Sequence, residues 1–496
     1  MDPKKLSRRQ MLKLVGMGAA GAALAACQPK TVVVEKEVEK TVVVEKEIEK
    51  VVKETVIVEG TPKVVEKKVT EIVQEVVTAT PDPAKKEPVT LRYWHHWGGN
   101  RIPLMEEQVN RFMSEYPWIT VETTLMPWDN RLQTLLTIIA AGDPCDVTML
   151  GRQDMPSFVV QDALLPLDDY MDRDGITGDL FYESEFRGCQ FNGKTWILPL
   201  PTGGALDIMW RNKQWIADEG FDPETPPQTW EDMFEMGRAI TILENGSLQK
   251  AFFRATVFSG PTAFIGWMHS NGGSWVSEDL RTVQFNSQEA LEALQFVVDY
   301  TNEINGGIEE QQIFFSQTGE WENGPFYSYY EAMQVNGSWE FFKIQEYAPD
   351  IIPHLGVSVI PHGPSGESHG TAHGGWGYCV PRGVKNPDES WLLVKWLTTA
   401  QDGACWFLQQ QKRPSPLISC NEDPVSGEGN PVWNDIIEAM SQDIWMPISP
   451  VQPEVQALWG TAQEEALYGL RTPEEALEWC AGEVQDLLDT FWAEHS

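Results

Sequence analysis

The sequence has few basic residues for its length. Its 37 Lys and Arg stand against 73 Asp and Glu, which gives a formal net charge of −36. A protein that binds nucleic acid needs a basic surface to displace the counterions around the phosphates, so this composition argues against nucleic acid as a partner. We interpret the acidity as a source of solubility rather than as the mark of a dedicated partner.

Two kinds of motif are also missing. No Gly-x-x-x-x-Gly-Lys-Ser/Thr run occurs, so the chain lacks the phosphate-binding loop of that class of ATPase. None of the cysteines has the spacing of a zinc or redox motif. The sequence leaves open how the cysteines beyond residue 88 pair, and these are Cys145, Cys189, Cys379, Cys405, Cys420 and Cys480.

Long apolar runs are confined to residues 1–27, which we predict to be an export signal. A basic start is followed by an apolar run, 14–26, that is too short to span a membrane. Arg8 and Arg9 lie in a stretch that resembles a twin-arginine signal, and the run ends at Cys27 in a stretch that resembles a bacterial lipobox. We expect lipidation of Cys27 and a chain anchored to the outer face of the cell membrane. Twin-arginine cargo folds in a reducing compartment, so we expect some of the later cysteines to be buried thiols.

Residues 28–88 form a segment of low complexity. The ten residues Thr31–Lys40 recur almost unchanged as Thr41–Lys50, and the Pro-rich stretch Thr78–Pro88 closes the segment. Val, Glu and Lys alternate too loosely to bury an apolar face, so we predict a solvated tether and a linker. A coiled coil that joins several chains is the alternative.

The remaining sequence alternates strand and helix patterns. An apolar strand pattern at 89–94 is followed by an amphipathic helix pattern at 102–116, and the same alternation continues through 119–125, 131–141, 146–150 and 157–163. This order predicts an α/β fold with a largely parallel sheet, whose ligand loops lie at the carboxyl ends of the strands.

The stretch Gly193–Trp230 organises this part of the chain. Pro199 and Pro201 forbid a helix and keep the backbone extended, and an apolar run at 206–210 predicts a buried strand. Thr229 is placed to cap the following helix together with Asp232. At the far end of the chain, Thr472 and Glu475 form the same pattern.

This stretch resembles the first crossover of the carbohydrate-binding solute-binding proteins of ABC transporters, the maltose-binding-protein family. The resemblance rests on Gly193–Trp196, Pro199, Asn212-Lys213 and Pro226–Trp230, whereas Arg211 stands where the family usually has Tyr. Further segments follow in the family's order and extend the resemblance over 89–496: Pro117–Val121, Gly142–Val147, Leu164–Asp168, Pro261–Gly273, Val335–Phe341, Gly374–Gly383 and Met446–Trp459.

The resemblance implies a two-lobed periplasmic-binding-protein fold of type II, with three crossovers between the lobes. It implies an N-lobe of residues 89–203 and 379–445 and a C-lobe of residues 204–378 and 446–496. It also implies a monomeric body that closes over a sugar and docks on a membrane permease, while a separate ATPase supplies energy. No cofactor, no metal and no catalytic residue are implied.

Aromatic residues are abundant, with 21 Trp, and aromatic rings are suitable surfaces for stacking sugar rings. From their positions at strand ends we select Trp94, His95, Trp97 and Asp154 in the N-lobe. The C-lobe candidates are Phe264, Trp267, Trp339 and Trp459, of which the last two correspond to motifs of the resembled family. Trp376 lies on the second crossover, where it can contact both lobes.

Several alternatives remain open. A secreted glycoside hydrolase is also rich in Trp and acid, and it needs two carboxylates about 5–9.5 Å apart across a cleft. An adhesin or receptor can use the same lobes without a permease, and the ligand can be another polyol or a glycerophosphodiester. A zinc site at His362, His369 and His373 and an iron site at Tyr327, Tyr329 and Tyr330 are weaker alternatives.

Overall fold

The computed structural model describes residues 42–58, 61–77, 86–200, 207–256, 263–318, 324–367, 370–372, 374–446 and 449–495. The predicted export signal at Arg8 and Arg9 and the predicted lipidation site at Cys27 lie outside these residues. The chain divides into two compact units, residues 1–86 and residues 87–496.

The first unit contains a pair of long strands. Strand β1 (Val42–Val58) pairs antiparallel with strand β2 (Thr61–Val77), with Val58 opposite Thr61 and Val42 opposite Val77. Runs of Val favour strands because β-branched side chains suit an extended backbone. A coiled coil requires helices, and the described part of this unit contains none.

The second unit is an α/β structure whose elements follow the predicted order. Its strands are β3 (Val89–His95), β4 (Ile119–Leu125), β5 (Val147–Gly151), β6 (Gln190–Phe191), β7 (Lys194–Thr195), β8 (Leu198–Pro199), β9 (Ile208–Asn212), β10 (Ile242–Glu244), β11 (Ser247–Lys250), β12 (Met333–Asn336), β13 (Leu355–Val359), β14 (Gly370–Ala372), β15 (Trp376–Cys379) and β16 (Asp443–Trp445). Its helices are α1 (Arg101–Glu115), α2 (Arg131–Ala140), α3 (Met155–Val160), α4 (Asp168–Asp174), α5 (Glu183–Arg187), α6 (Lys213–Asp218), α7 (Trp230–Ile240), α8 (Ala263–Ser270), α9 (Gln288–Glu303), α10 (Ile308–Thr318), α11 (Glu340–Tyr347), α12 (Pro387–Thr399), α13 (Trp406–Gln409), α14 (Ile418–Asn421), α15 (Trp433–Ser441), α16 (Gln452–Leu467) and α17 (Pro473–Glu494). Among the described helices, none combines the length and the apolar character needed to cross a bilayer.

The first sheet has five strands in the order β4-β3-β5-β15-β8. Strand β3 runs parallel to β4 and β5, as the alternating pattern predicts, whereas β15 runs antiparallel to both β5 and β8. The inward-facing residues of β3 and β5 form a core with helices α1 and α12, and this core includes Tyr93, Phe112, Met149 and Trp391. Because helices α1 and α12 pack against the first sheet itself, the loops at the ends of its strands remain available to form a site.

The second sheet has three strands in the order β12-β9-β13, and both outer strands run antiparallel to β9. The expectation of a largely parallel sheet therefore holds for the first sheet but not for the second. Strand β9 overlaps the apolar run predicted at 206–210 and continues two residues further, to Asn212, and all five of its residues are buried.

Two elements differ from the predicted lobe boundaries. Strand β15 belongs entirely to the first sheet, although the predicted boundary lies between residues 378 and 379. Helix α15 contributes Ile436 and Met440 to a core that contains Trp210 of β9, although we assigned residues 379–445 to the N-lobe. A Gly-rich or apolar stretch in the sequence indicates that the chain passes from one lobe to the other. The residue at which it does so depends on strand pairing and core contacts.

The predicted helix caps are confirmed. The Thr229 side chain accepts a hydrogen bond from the backbone N–H of Asp232, and the Asp232 carboxylate accepts one from the backbone N–H of Thr229. Thr472 and Glu475 make the same reciprocal pair at the start of α17. These pairs satisfy backbone donors that a helix leaves unbonded in its first turn.

The cysteines form one disulfide among the described residues, between Cys405 and Cys420. It joins the short helical segments around α13 and α14, where both side chains are buried. Cys145, Cys189, Cys379 and Cys480 are free and buried, and burial raises the pKa of the Cys145, Cys189 and Cys480 thiols to about 12. Some of the cysteines are thus unreactive core residues, as we expected.

The cap of the last helix can be tested by substitution. We expect Thr472→Ala to lower the free energy of unfolding by about 1 kcal/mol, because an N-cap hydrogen bond is lost. The measurement is urea unfolding of the full chain. Thr490→Ala is the matched control, since Thr490 lies exposed in the same helix and bonds back to the Asp486 carbonyl. Equal effects of the two substitutions would contradict the capping role.

Candidate ligand site

The carboxyl ends of the parallel strands bring polar and aromatic residues together. Strand β3 leads into His96 and Trp97, strand β4 leads into the loop that carries Trp128, and strand β5 leads into Asp154. Strand β15 runs in the opposite direction and therefore begins at the same edge with Trp376, which lies opposite Gly151. Residues from four separate stretches of sequence meet at this edge.

Three rings form an aromatic cluster at the edge: His96, Trp128 and Trp376. The ring centroids of His96 and Trp128 are 5.8 Å apart, those of His96 and Trp376 are 5.8 Å apart, and those of Trp128 and Trp376 are 5.4 Å apart. Trp128 is 51% exposed, and Trp376 is partly exposed. Trp128 and Trp376 thus present a pre-assembled aromatic surface, with the buried His96 packed against it, and such a surface suits the apolar face of a sugar ring.

A charged pair borders the aromatic cluster. The Arg131 guanidinium lies 5.1 Å from the Trp128 ring centroid and 5.7 Å from that of Trp376, and it is 3.6 Å from the Asp154 carboxylate. Burial raises the pKa of Asp154 to about 6, although Arg131 acts in the opposite direction. Burial also lowers the pKa of His96 to about 4, so this imidazole is neutral near pH 7. This edge of the sheet thus offers a hydrogen-bond donor in Arg131, an acceptor in Asp154, and the aromatic rings of the cluster.

A second group of residues lies between the two sheets. The guanidinium carbon of Arg413, which follows α13, is 5.9 Å from the ring centroid of Trp97 and 5.2 Å from that of Trp339. Trp97 follows strand β3 of the first sheet and stacks on Phe407 with centroids 5.9 Å apart. Trp339 stands at the start of α11, after strand β12 of the second sheet. One buried arginine therefore contacts a tryptophan from each half of the body.

Other polar contacts also join the two halves. The side-chain amide of Asn100, beside helix α1, donates to the Glu346 carboxylate of α11. The Arg187 guanidinium of α5 lies 3.9 Å from the carboxylate of Glu278, a residue of the second half. Both pairs lie at the surface, where ion pairs and hydrogen bonds contribute little stability.

Three predicted ligand residues are instead core residues. Phe264, Trp267 and Trp459 have no exposed surface and belong to one apolar core in the second half. Trp267 contacts Phe296 edge to face at 4.9 Å, and its indole N–H donates to the Ala255 carbonyl. Trp459 contacts Trp275 at 5.3 Å. This burial corrects the sequence interpretation, because their rings are enclosed by protein and cannot stack on a ligand.

His95 is a further correction. Alternation along β3 places Leu91, Tyr93 and His95 on the inner face, and the His95 ring lies 5.7 Å from the Tyr93 ring. Burial lowers the pKa of His95. The next residue, His96, reaches the aromatic cluster instead. Trp94 is partly buried and lines a small cavity beneath the cluster together with His96 and Trp376.

The sequence interpretation missed four residues of these two groups: His96, Trp128, Arg131 and Arg413. Trp128 and Arg131 follow strand β4, so the rule that ligand loops lie at strand carboxyl ends could have selected them. Nothing in the local sequence marks Arg413, because its neighbours come from distant parts of the chain.

The metal alternatives find no support among the described residues, which contain no group of three or more His, Cys, Asp or Glu placed to hold a metal ion. His362 directs Nδ1 toward the Gly363 carbonyl, and Tyr327 donates to the Glu340 carboxylate. His369 and His373 lie outside the described residues. Tyr329 and Tyr330 are exposed.

Comparisons with known proteins agree with this architecture. A binding protein of Brucella abortus is 28% identical over 389 residues, which cover 78% of this chain and 90% of that protein. The sn-glycerol-3-phosphate-binding periplasmic protein of Escherichia coli is 20% identical over 429 residues, which cover 81% of this chain and 93% of that protein. The solved structure of maltose-bound T. maritima MalE3 superposes with a TM-score of 0.67 at 22% identity, covering 80% of this chain and all of that one.

A family model also matches this chain. The model of the bacterial extracellular solute-binding protein family matches residues 98–404, which is more than half of the chain. The matched region contains the second sheet, the strands of the first sheet other than β3, Trp128 and Trp376 of the aromatic cluster, and Trp339. The chain belongs to the bacterial extracellular solute-binding protein family.

Proposed function

We propose that this protein captures a sugar, an oligosaccharide in particular, in the cleft between its two lobes and delivers it to an ABC permease. The observation that carries the proposal is the aromatic cluster of His96, Trp128 and Trp376 beside the Arg131–Asp154 pair. Maltose in the structure of the T. maritima relative is consistent with it.

In the proposed complex, the two tryptophans supply apolar faces for a sugar ring. The Asp154 carboxylate accepts hydrogen bonds from two neighbouring hydroxyls, and Arg131 donates to hydroxyl oxygens. These hydrogen bonds give specificity, because a ligand that lacks a hydroxyl leaves buried polar groups unpaired. Trp94 contributes from the layer beneath the cluster, and Trp97 and Trp339 contribute from the second group of residues, beside Arg413.

Release to the permease requires the cleft to open and close. A ligand favours the closed form only through contacts that it makes with both lobes. The Arg413 contacts to Trp97 and Trp339 and the Asn100–Glu346 hydrogen bond join the lobes here. In our proposal these contacts break on opening, and a bound ligand strengthens them.

The proposal treats the protein as a binding protein without catalytic activity. A glycoside hydrolase needs two carboxylates that face each other across the scissile bond. Asp154 is engaged with Arg131, and the relatives named above are binding proteins. Because one relative binds sn-glycerol-3-phosphate, a polyol phosphate is our second candidate for the ligand class.

The ligand class can be tested by thermal unfolding of the full chain with neutral oligosaccharides, monosaccharides and glycerophosphodiesters. A ligand at about 100 times its dissociation constant stabilises the folded state by roughly 2.7 kcal/mol. We expect an oligosaccharide to raise the melting temperature and to be recovered intact. Recovery of cleaved sugar would indicate a hydrolase, and stabilisation by none of these compounds would contradict the proposal.

The aromatic cluster can be tested with the sugar that this screen identifies. We expect Trp128→Ala and Trp376→Ala each to weaken binding on the order of tenfold, because stacking area is lost. Trp406→Ala is the control, since Trp406 is a partly buried tryptophan that lies beneath Arg111, away from the cluster. Isothermal titration calorimetry gives the three dissociation constants. Unchanged affinity in both cluster variants would rule out stacking at this edge.

The role of Asp154 predicts a dependence on pH. Its pKa is raised to about 6, so the carboxylate is ionised at higher pH and becomes protonated as the pH falls through this value. Protonation removes acceptor capacity, and we therefore expect affinity to decrease as the pH is lowered from about 8 to about 5. Asp154→Asn should bind more weakly and lose this decrease. Wild-type affinity that is flat over the same range would contradict the role.

We also propose that Cys27 carries a lipid that anchors the protein to the outer face of the cell membrane. The lipobox-like and twin-arginine-like motifs support this proposal. We expect cells that express the full chain and grow with labelled palmitate to incorporate the label, and Cys27→Ala to abolish it. Arg8→Lys/Arg9→Lys should retain the protein inside the cell if the export signal is of the twin-arginine type. Label on the Cys27→Ala variant would exclude this anchor.

A further inference from the structure

Arg413 is a buried charge that has no ion-pair partner among the described residues. Its side chain is 2% exposed, and its Nε finds no acceptor. Within the described part of the chain, the guanidinium makes no ion pair, and its close contacts are the Trp97 and Trp339 rings. Proteins rarely bury a charge in this way, because removing it from water is costly unless an opposite charge compensates.

A second arginine reinforces the positive charge. The Arg101 guanidinium lies 5.0 Å from the centroid of the Trp97 ring, and no ion pair with a described residue involves it. Burial lowers the pKa of Arg413 well below its ordinary value, and the nearby Arg101 charge adds to this effect. Burial likewise lowers the pKa of Arg101 to about 10. Neither guanidinium group therefore forms an ion pair with a described residue.

The acid that attracts Arg413 is already engaged elsewhere. Glu185 is buried, and its carboxylate lies 2.9 Å from Arg152, which also donates to the Glu185 backbone carbonyl at 2.8 Å. Glu340, next to Trp339 in sequence, accepts hydrogen bonds from Gln334 and Asn336. Among the described residues, these two acids are thus engaged elsewhere, and Arg413 and Arg101 remain without an ion pair in a chain of net charge −36.

We propose that the ligand carries an anionic group, a carboxylate or a phosphate, which Arg413 and Arg101 bind between Trp97 and Trp339. This inference rests on the proposed function, because it places the ligand between the lobes. A planar guanidinium donates two parallel hydrogen bonds to either group, and the flanking rings hold it in one orientation. An anion at this position would lie between Trp97 of the first half and Trp339 of the second half.

Simple anions test the site without knowledge of the natural ligand. We would follow thermal unfolding of the full chain in sodium phosphate and in sodium acetate, with sodium chloride added to keep the ionic strength constant. We expect one of the two anions to raise the melting temperature in a saturable manner. Arg413→Gln and Arg101→Gln should each raise the half-saturating concentration about tenfold, with each variant compared with its own anion-free state. If Arg413→Gln does not fold, Arg101→Gln provides the test.

Arg211→Gln is the matched control. Arg211 is also buried with unpaired nitrogens, but it lies in β9 near Asp435 and Glu224, whose charges attract it. Its substitution should leave the anion effect unchanged. Stabilisation by phosphate supports a phosphorylated ligand, and stabilisation by acetate supports a carboxylated one. No saturable effect of either anion, or the same effect in all three variants, would overturn the inference.

The anion experiment and the sugar screen test the two proposals separately. Binding of a neutral sugar without any anion effect would leave the proposed function in place and remove this inference. An anion effect that depends on Arg413, together with no binding of any sugar, would keep the anion site and remove the sugar.

Discussion

The pairing of strand β15 between β5 and β8 is the constraint on which the candidate site depends. These strands come from residues 147–151, 198–199 and 376–379, and hydrogen bonds hold them side by side in one sheet. Because β15 runs antiparallel to β5, its first residue, Trp376, lies at the carboxyl edge of the parallel strands. The backbone N–H of Arg152 donates to the Gly375 carbonyl, which extends the link beyond the ladder. Without this pairing, Trp376 would not meet His96 and Trp128.

Close packing around the same link also requires a glycine. Gly375 has a φ of +111°, a conformation that residues with a side chain rarely adopt, and a Cβ there would collide with the Arg152 guanidinium. Arg152 in turn holds Glu185, so that this buried carboxylate is neutralised by one arginine and cannot fully compensate a second. The close approach at Gly375 thus belongs to the packing in which Arg152 pairs with Glu185, while Arg413 has no ion pair among the described residues.

Local patterns predicted the elements well and the roles of individual tryptophans poorly. The strand at Val89–His95, the helix at Arg101–Glu115 and both capping boxes follow from signals within a few residues, namely apolar periodicity and a Thr placed three residues before an acid. From sequence alone, Trp267 and Trp459 are equally suited to a core or to a ligand site. A tryptophan pattern shows that the ring is covered, but it does not show whether protein side chains or a ligand cover it. Contacts with Phe296 and Trp275, both distant in sequence, decided for the core.

By itself, the sequence determined the class of fold, the order of its strands and helices, the helix starts and the family resemblance, since all of these depend on short-range patterns and their order along the chain. Tertiary structure decided the lobe to which Trp376 and Ile436 belong, the pairing of Cys405 with Cys420, and the replacement of His95 by His96 in the aromatic cluster. It also decided that Arg152 forms an ion pair, whereas Arg413 forms none with the residues that the structure describes. The physical reason is that burial and charge compensation depend on residues far apart in the chain, whose distances are set only when the sheets form.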